Sequence, residues 1–226
     1  MTDVLLGDWS RADEGMFHSF SAAWVVELCR RLNNGGLPDG YGAHNERVVS
    51  PDVFTAGTRI LPADAVTATV RDEDETAAYV RRSRRLVVRR LDRSAVSVIE
   101  FASHAHKRSR SRIRAILRRS AEAVDEGLHV SVVDVHAPQS FDPKGMVDAT
   151  WEELTGRTTE LNGRSCGVVR SWGGLSLYAE PMAVGRPVPD LPLFLDGDAI
   201  VTLPLANAYA AALEVLPADE RAVVAA

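Results

Sequence analysis

Glu100 closes the apolar, β-branched run Ala95-Val96-Ser97-Val98-Ile99-Glu100, and a polar loop follows it into an arginine-rich segment. A carboxylate at the end of a buried strand costs free energy unless a cation, a proton or a hydrogen-bond donor meets it. A second carboxylate, Asp52, opens another apolar run in Pro51-Asp52-Val53, and Lys107 stands seven residues after Glu100. Two acids at neighbouring strand ends with a lysine close by form the set that metal-dependent phosphodiester cleavage uses. A hard cation such as Mg²⁺ or Mn²⁺ prefers oxygen ligands, polarises the phosphate and activates a bound water. A basic side chain steadies the charge that develops. Asp52 and Glu100 are thus candidate metal ligands. The alternative has Asp52 opening a turn and Glu100 paired to an arginine.

Charge is unevenly spread. Residues 81–119 carry 14 of the 26 basic side chains and only two acids, a local charge of +12 against −17 for the rest of the chain. A basic segment in an acidic protein suits a phosphate-facing surface, so DNA or RNA is the expected partner; a solvated arginine face is the alternative. Arg108, Arg112 and Arg119 fall at i, i+4 and i+11 of one helical stripe. Only Lys107 and Lys144 are lysines, which adds weight to Lys107. His104 and His106 lack the third ligand that zinc needs. Cys29 and Cys166 make no Cys-x-x-Cys pair or disulfide framework. No apolar run reaches a membrane span, and the first seven residues have no basic, signal-like start, so cytoplasmic residence is expected. Oligomeric state is left open, a dimer among the possibilities.

These residues need elements to position them. Phe17, Phe20, Trp24, Leu28 and Leu32 recur at helical steps and predict a helix over 16–33, stopped by Asn33-Asn34-Gly35-Gly36. Strands are expected near 43–49, 65–71, 84–91 and 95–101. A helix over 108–126 ends at Gly127, and a strand over 129–137 follows. Strand, helix, strand is a crossover unit, which places strands 95–101 and 129–137 parallel in one sheet. Beyond Pro138, residues 142–156 are partly helical, and Ser171-Trp172-Gly173-Gly174 turns a hairpin between 164–169 and 175–179. Residues 187–192 form an extended connector, and helices over 203–213 and 217–224 close the chain. The expectation is one α/β domain over 1–226, with 138–226 as its C-terminal extension.

Placed on these elements, Pro51-Asp52 and a strand-ending Glu100 followed by a helix resemble the PD-(D/E)xK restriction-endonuclease-like superfamily. The chain is more closely similar to the bacterial family termed domain of unknown function 4058, itself like the Uma-two-like putative endonucleases. The resemblance covers nearly the whole chain. It is carried by Phe17-His18, by Leu32-Asn33 with Leu37-Pro38 and Gly40-Tyr41, and by Glu46-Arg47-Val48. Pro51-Asp52-Val53, Val98-Ile99-Glu100 with Ser103 and Lys107-Arg108, and Gly127-Leu128-His129 carry it further. It implies a mixed sheet flanked by helices, with a C-terminal hairpin and helices. It also implies a metal at Asp52 and Glu100, His18 orienting a water or carboxylate, and Lys107 or Arg119 at the phosphate. Arg108 and Arg112 would contact nucleic acid. Ala102 stands where the nuclease pattern has lysine, and an arginine at 119 can clamp a phosphate but cannot serve as a base. Two functions follow: a metal-dependent nuclease or phosphodiesterase, and a catalytically silent binding module on the same fold.

Overall fold

The computed structural model describes residues 4–47 and 84–225. Helix α1 (Glu14–Arg31) starts where the Asp13 carboxylate accepts the Met16 amide at 2.8 Å. Its apolar stripe of Phe17, Phe20, Trp24 and Leu28 is buried as the spacing requires. The helix unwinds through Leu32–Gly36, where Gly35 takes φ +99°, a left-handed conformation that favours glycine. Strands β1 (Tyr41–Arg47), β2 (Arg84–Arg90) and β3 (Ala95–Ala102) then form an antiparallel meander.

Two serine caps divide the segment after β3. Ser103 caps a one-turn helix, α2 (His104–Lys107), and Ser109 caps α3 (Arg110–Asp125), so the long helix begins two residues later than its sequence pattern predicts. Strand β4 (His129–Asp134) returns parallel to β3, with Glu100 opposite Val132 and Ala102 opposite Asp134. This is the expected crossover. Helix α4 (Met146–Thr155) follows, then the hairpin of β5 (Ser165–Arg170) and β6 (Ser176–Pro181). The sheet order is β1-β2-β3-β4-β5-β6. The extended connector ends in a strand, β7 (Leu191–Phe194), which pairs with β8 (Ile200–Leu203) in a small separate sheet. Helices α5 (Leu205–Leu213) and α6 (Ala218–Val224) complete the fold.

The core has two parts. One gathers Phe20, Trp24 and Tyr209 from α1 and α5 with Ile99, Phe101 and Val133 of the sheet. The Tyr209 hydroxyl accepts the Gly7 amide and the Trp9 indole, both at 2.9 Å, while the Trp24 indole donates to the Leu205 carbonyl at 3.2 Å. Buried aromatic N–H and O–H groups are thereby satisfied. The other part joins Ile113, Ile116, Met146 and Val147 of α3 and α4 to Ala102, Val130 and Val132. Strand alternation thus divides β3, with Ile99 and Phe101 in the first part and Ala102 in the second. Asp52 and the strand expected over 65–71 lie outside the described residues.

Candidate functional site

Glu100 is 5% exposed on β3 and meets Arg119 of α3, with 3.4 Å between Oε2 and Nη2. The contact is long for a charge-assisted hydrogen bond. Arg119 Nε and Nη1 are buried without a hydrogen-bond partner among the described residues. The pairing of Glu100 with an arginine is the arrangement in which a strand-end carboxylate is compensated by a cation of its own chain.

Lys107 is fully buried, and its ammonium is enclosed by acceptors. Nζ lies 2.6 Å from Asp134 Oδ2 and 2.9 Å from Asp142 Oδ2, and it donates to the carbonyls of His136 at 3.0 Å and Ala137 at 3.2 Å. Asp134 also accepts the His136 amide on Oδ1 and the Met146 amide on Oδ2, both at 3.1 Å. Burial pushes the Asp134 carboxyl up, while the Lys107 ammonium and the Met146 amide pull it the other way. The Asp142 carboxylate takes the Gln139 amide at 2.8 Å. Lys107 therefore ties the loop after β4 to the loop after β3. The family resemblance implies a phosphate at Lys107; in the structure its donors face Asp134, Asp142 and two carbonyls. Asp134, Asp142 and His136 do not stand out in the sequence pattern. One signal points to them: a lone lysine after one of two parallel strands and an aspartate ending the other.

Gly145 lets the first amide of α4 reach Asp134. Its φ is +95°, and a Cβ there would lie 2.3 Å from the Gly163 carbonyl oxygen. Gly145→Ala combines a left-handed backbone with a clash against main chain, so a loss of about 2–4 kcal/mol is expected. Urea unfolding monitored by far-ultraviolet circular dichroism checks this, and a loss below about 1 kcal/mol would contradict the geometry.

The three arginines of the expected stripe part company. Arg108 is exposed and pairs with Glu14 at 3.4 Å, Arg112 is half-buried and donates to the Ala105 carbonyl, and Arg119 holds Glu100. On β2, Arg89 and Arg90 pair with Glu46 and Asp196. The outward stripe of α3 is instead Arg110, Arg114 and Arg118, all exposed at i, i+4 and i+8, with no ion pair among the described residues. That spacing is legible in the sequence.

His18 is exposed on α1 and lines a pocket with His104, His106 and His136; Glu100 is not among its walls. His106 is 4% exposed and serves the Ser103 cap, accepting the Ser103 amide on Nδ1 at 3.0 Å, so the neutral ring carries its proton on Nε2. Burial, aided by the Arg119 charge, lowers this imidazole to about 3, and burial beside Lys107 does the same for His136. Among the described residues, no three His, Cys, Asp or Glu side chains converge as a metal site. Glu100 faces an arginine, while Asp134 and Asp142 close on a lysine, so the described residues alone do not fit a Mg²⁺ or Mn²⁺ centre. Comparison with protein-family models, with curated proteins and with solved structures found no match for this chain.

Proposed function

We propose that the protein is a restriction-endonuclease-like α/β module that binds the phosphodiester backbone of DNA or RNA without cutting it. The observation that carries this reading is the engagement of both candidate catalytic cations. Lys107 is enclosed by two carboxylates and two carbonyls, and Arg119 is held at Glu100. Neither is a free base, and arginine is charged throughout the working pH range.

The order α1, β1-β2-β3 meander, α3, then β4 parallel to β3 supports the nuclease-like scaffold, with Glu100 near the carboxyl end of β3. Charge on α3 supports the ligand class. Arg110 and Arg114 occupy the amino-terminal half, whereas Glu122 and Asp125 lie exposed near the carboxyl end. Each helix end thus carries the sign that the helix dipole disfavours, at about 0.3–1 kcal/mol per charge. Helix stability does not account for such a stripe, and attraction to a polyanion would.

Metal-dependent cleavage is the second reading, and one observation favours it. The chain leaves β1 at Arg47 and re-enters β2 at Arg84, next to the Arg85–Glu100 pair in the sheet register. In sequence, Asp52 follows that exit by five residues.

Anisotropy titrations with single-stranded and duplex DNA and with RNA, at several salt concentrations, test the binding reading. Affinity is expected to fall steeply with salt. Replacing Arg110, Arg114 and Arg118 by Gln should lower the slope of log K against log salt by about 2–3. Salt-independent binding, or none, removes the reading. Cleavage with Mn²⁺ that disappears in Glu100→Ala would establish the nuclease instead.

A further inference from the structure

Strand β6 ends the six-stranded sheet, and among the described residues no strand or hydrogen bond covers its outer side. One bond sets the phase of its ladder: just past the strand, the Met182 amide donates to the Arg164 carbonyl at 2.8 Å. Hydrogen-bonded residues alternate along an antiparallel pair. Ser176, Tyr178 and Glu180 therefore turn their main-chain groups to Arg170, Val168 and Cys166 of β5, while Leu177, Ala179 and Pro181 turn theirs outward. Pro181 suits that position, having no N–H to leave bare.

Bare edges recruit other strands, and proteins guard them with charges, proline, bulges or cover. In β6 the guards sit at one end. Glu180 and Pro181 close the strand, whereas residues 175–179 carry no charge, and the register of β6 with β5 is unbroken. Leu175 and Tyr178 are 37% and 44% exposed, and Trp172, in the turn before the strand, is 60% exposed. Large apolar side chains thus lie beside unpaired main-chain groups.

We infer that this edge is a self-association surface, on which β6 pairs antiparallel with β6 of a second copy and Tyr178 faces Tyr178 across the two-fold axis. A two-fold interface requires a surface complementary to itself, and this register meets the requirement. Leu177 of each copy pairs with Ala179 of the other, so the outward N–H and C=O groups of both residues are satisfied within the strand. Pairing centred on Leu177 would depend on Leu175, outside the strand, and pairing centred on Ala179 would set Leu177 against Pro181, which has no donor. Glu180 falls opposite Ser176 of the second copy, a hydroxyl rather than a like charge, and the exposed Leu175 falls opposite the exposed Pro181. The two Tyr178 rings form the closer, non-hydrogen-bonded kind of cross-strand pair, on the face where Tyr178 already packs on Phe194 at 5.1 Å between centroids. This self-match commits the edge to a second copy rather than to an unrelated strand. Six paired residues extend about 20 Å, short of a standard interface, so the dimer is weak and depends on concentration. Self-pairing at β6 is independent of the nucleic-acid reading.

Sedimentation equilibrium of the full chain, free of nucleic acid and spanning micromolar to millimolar concentrations, should show a monomer–dimer equilibrium. Two lysine substitutions at exposed positions on one face of β6 then report the register. Tyr178→Lys sets two ammonium groups against each other across the axis and should weaken the dimer tenfold or more. Ser176→Lys sets an ammonium against Glu180 of the second copy at both ends and should tighten it about threefold or more. Both change the net charge equally, so only the proposed register gives opposite effects. Amide hydrogen exchange at Leu177 and Ala179 should slow as concentration rises, while the Tyr178 amide, already bonded to Val168, should change little. A dimer that responds alike to both lysines, or to neither, uses another surface and overturns the proposal. A chain that stays monomeric overturns it too, in any of three ways. Fast exchange at both amides leaves the edge open, and slow exchange assigns it to another part of the same chain. Exchange that slows only when a peptide of residues 174–181 is added assigns it to a foreign strand.

Discussion

Lys107→Met should cost about 3–5 kcal/mol of unfolding free energy, the usual consequence of removing one partner from a buried ion pair. Methionine nearly matches the lysine stem in volume, so the loss is electrostatic rather than a cavity effect. It strands Asp134 and Asp142, both in fully buried positions, and leaves the His136 and Ala137 carbonyls without their donor. Lys107→Arg should not rescue, because a planar guanidinium does not match acceptors arranged around a point charge. Urea midpoints give the measurement. Asp134→Asn with Asp142→Asn in the Lys107→Met background should recover much of the loss, since the uncompensated charge is then gone. If Lys107→Met alone shifts stability by less than about 1 kcal/mol, the cluster does not hold the two loops together as described.

Stability should also fall steeply in mild acid. His106 and His136 stay neutral in the folded protein down to about 3, whereas an unfolded imidazole takes its proton near 6.5. Below about pH 6.5 the unfolded chain therefore binds protons that the folded chain refuses. The stabilisation is fully present above that pH and is lost as the pH falls towards 3. Each proton is worth about 1.4 kcal/mol per pH unit. Asp134, pushed up by burial, works in the opposite sense by at most one proton. The net expectation is a loss of roughly 1.4–2.7 kcal/mol per pH unit between pH 6 and 4. Urea midpoints across that range give the slope, and His136→Phe should reduce it by about one proton's worth. A flat profile would mean that the two rings are reached by solvent.

Where apolar burial alone decides the structure, the sequence pattern was legible. Burial fixes the α1 stripe and the β3–β4 crossover, because Phe17, Trp24 and the Val130–Val135 run have nowhere else to go. Capping was legible only in part: Ser103 and Ser109 each begin a helix, yet their competition is settled by the turn between them. The β7–β8 hairpin was not legible from the residues alone, because Pro192 in a short run reads as a connector, and an edge position tolerates it. At the site, sequence identifies Glu100, Lys107 and Arg119 as the charged residues to follow. It could not say which carboxylate each cation would meet, since Asp134 and Asp142 reach Lys107 across 27 and 35 residues. Partner choice among buried charges is decided by strand register and loop path, and those are properties of the assembled sheet.

The aromatic joint between α1 and α5 has a consequence for biosynthesis. Trp24 meets Leu205 across 181 residues, and Gly7 meets Tyr209 across 202. While the chain is being made at about 5–20 residues per second, the part of α1 that packs on α5 waits roughly 10–40 s for that partner, although Phe101 of β3 can reach Trp24 earlier. The intervening sheet can form first, since its antiparallel pairs are close in sequence beyond β4. Nascent chains stalled before residue 205 should therefore bind trigger-type chaperones through α1, and release should coincide with the appearance of α5. Slower translation before residue 205 is then expected to lengthen the time that this part of α1 stays uncovered.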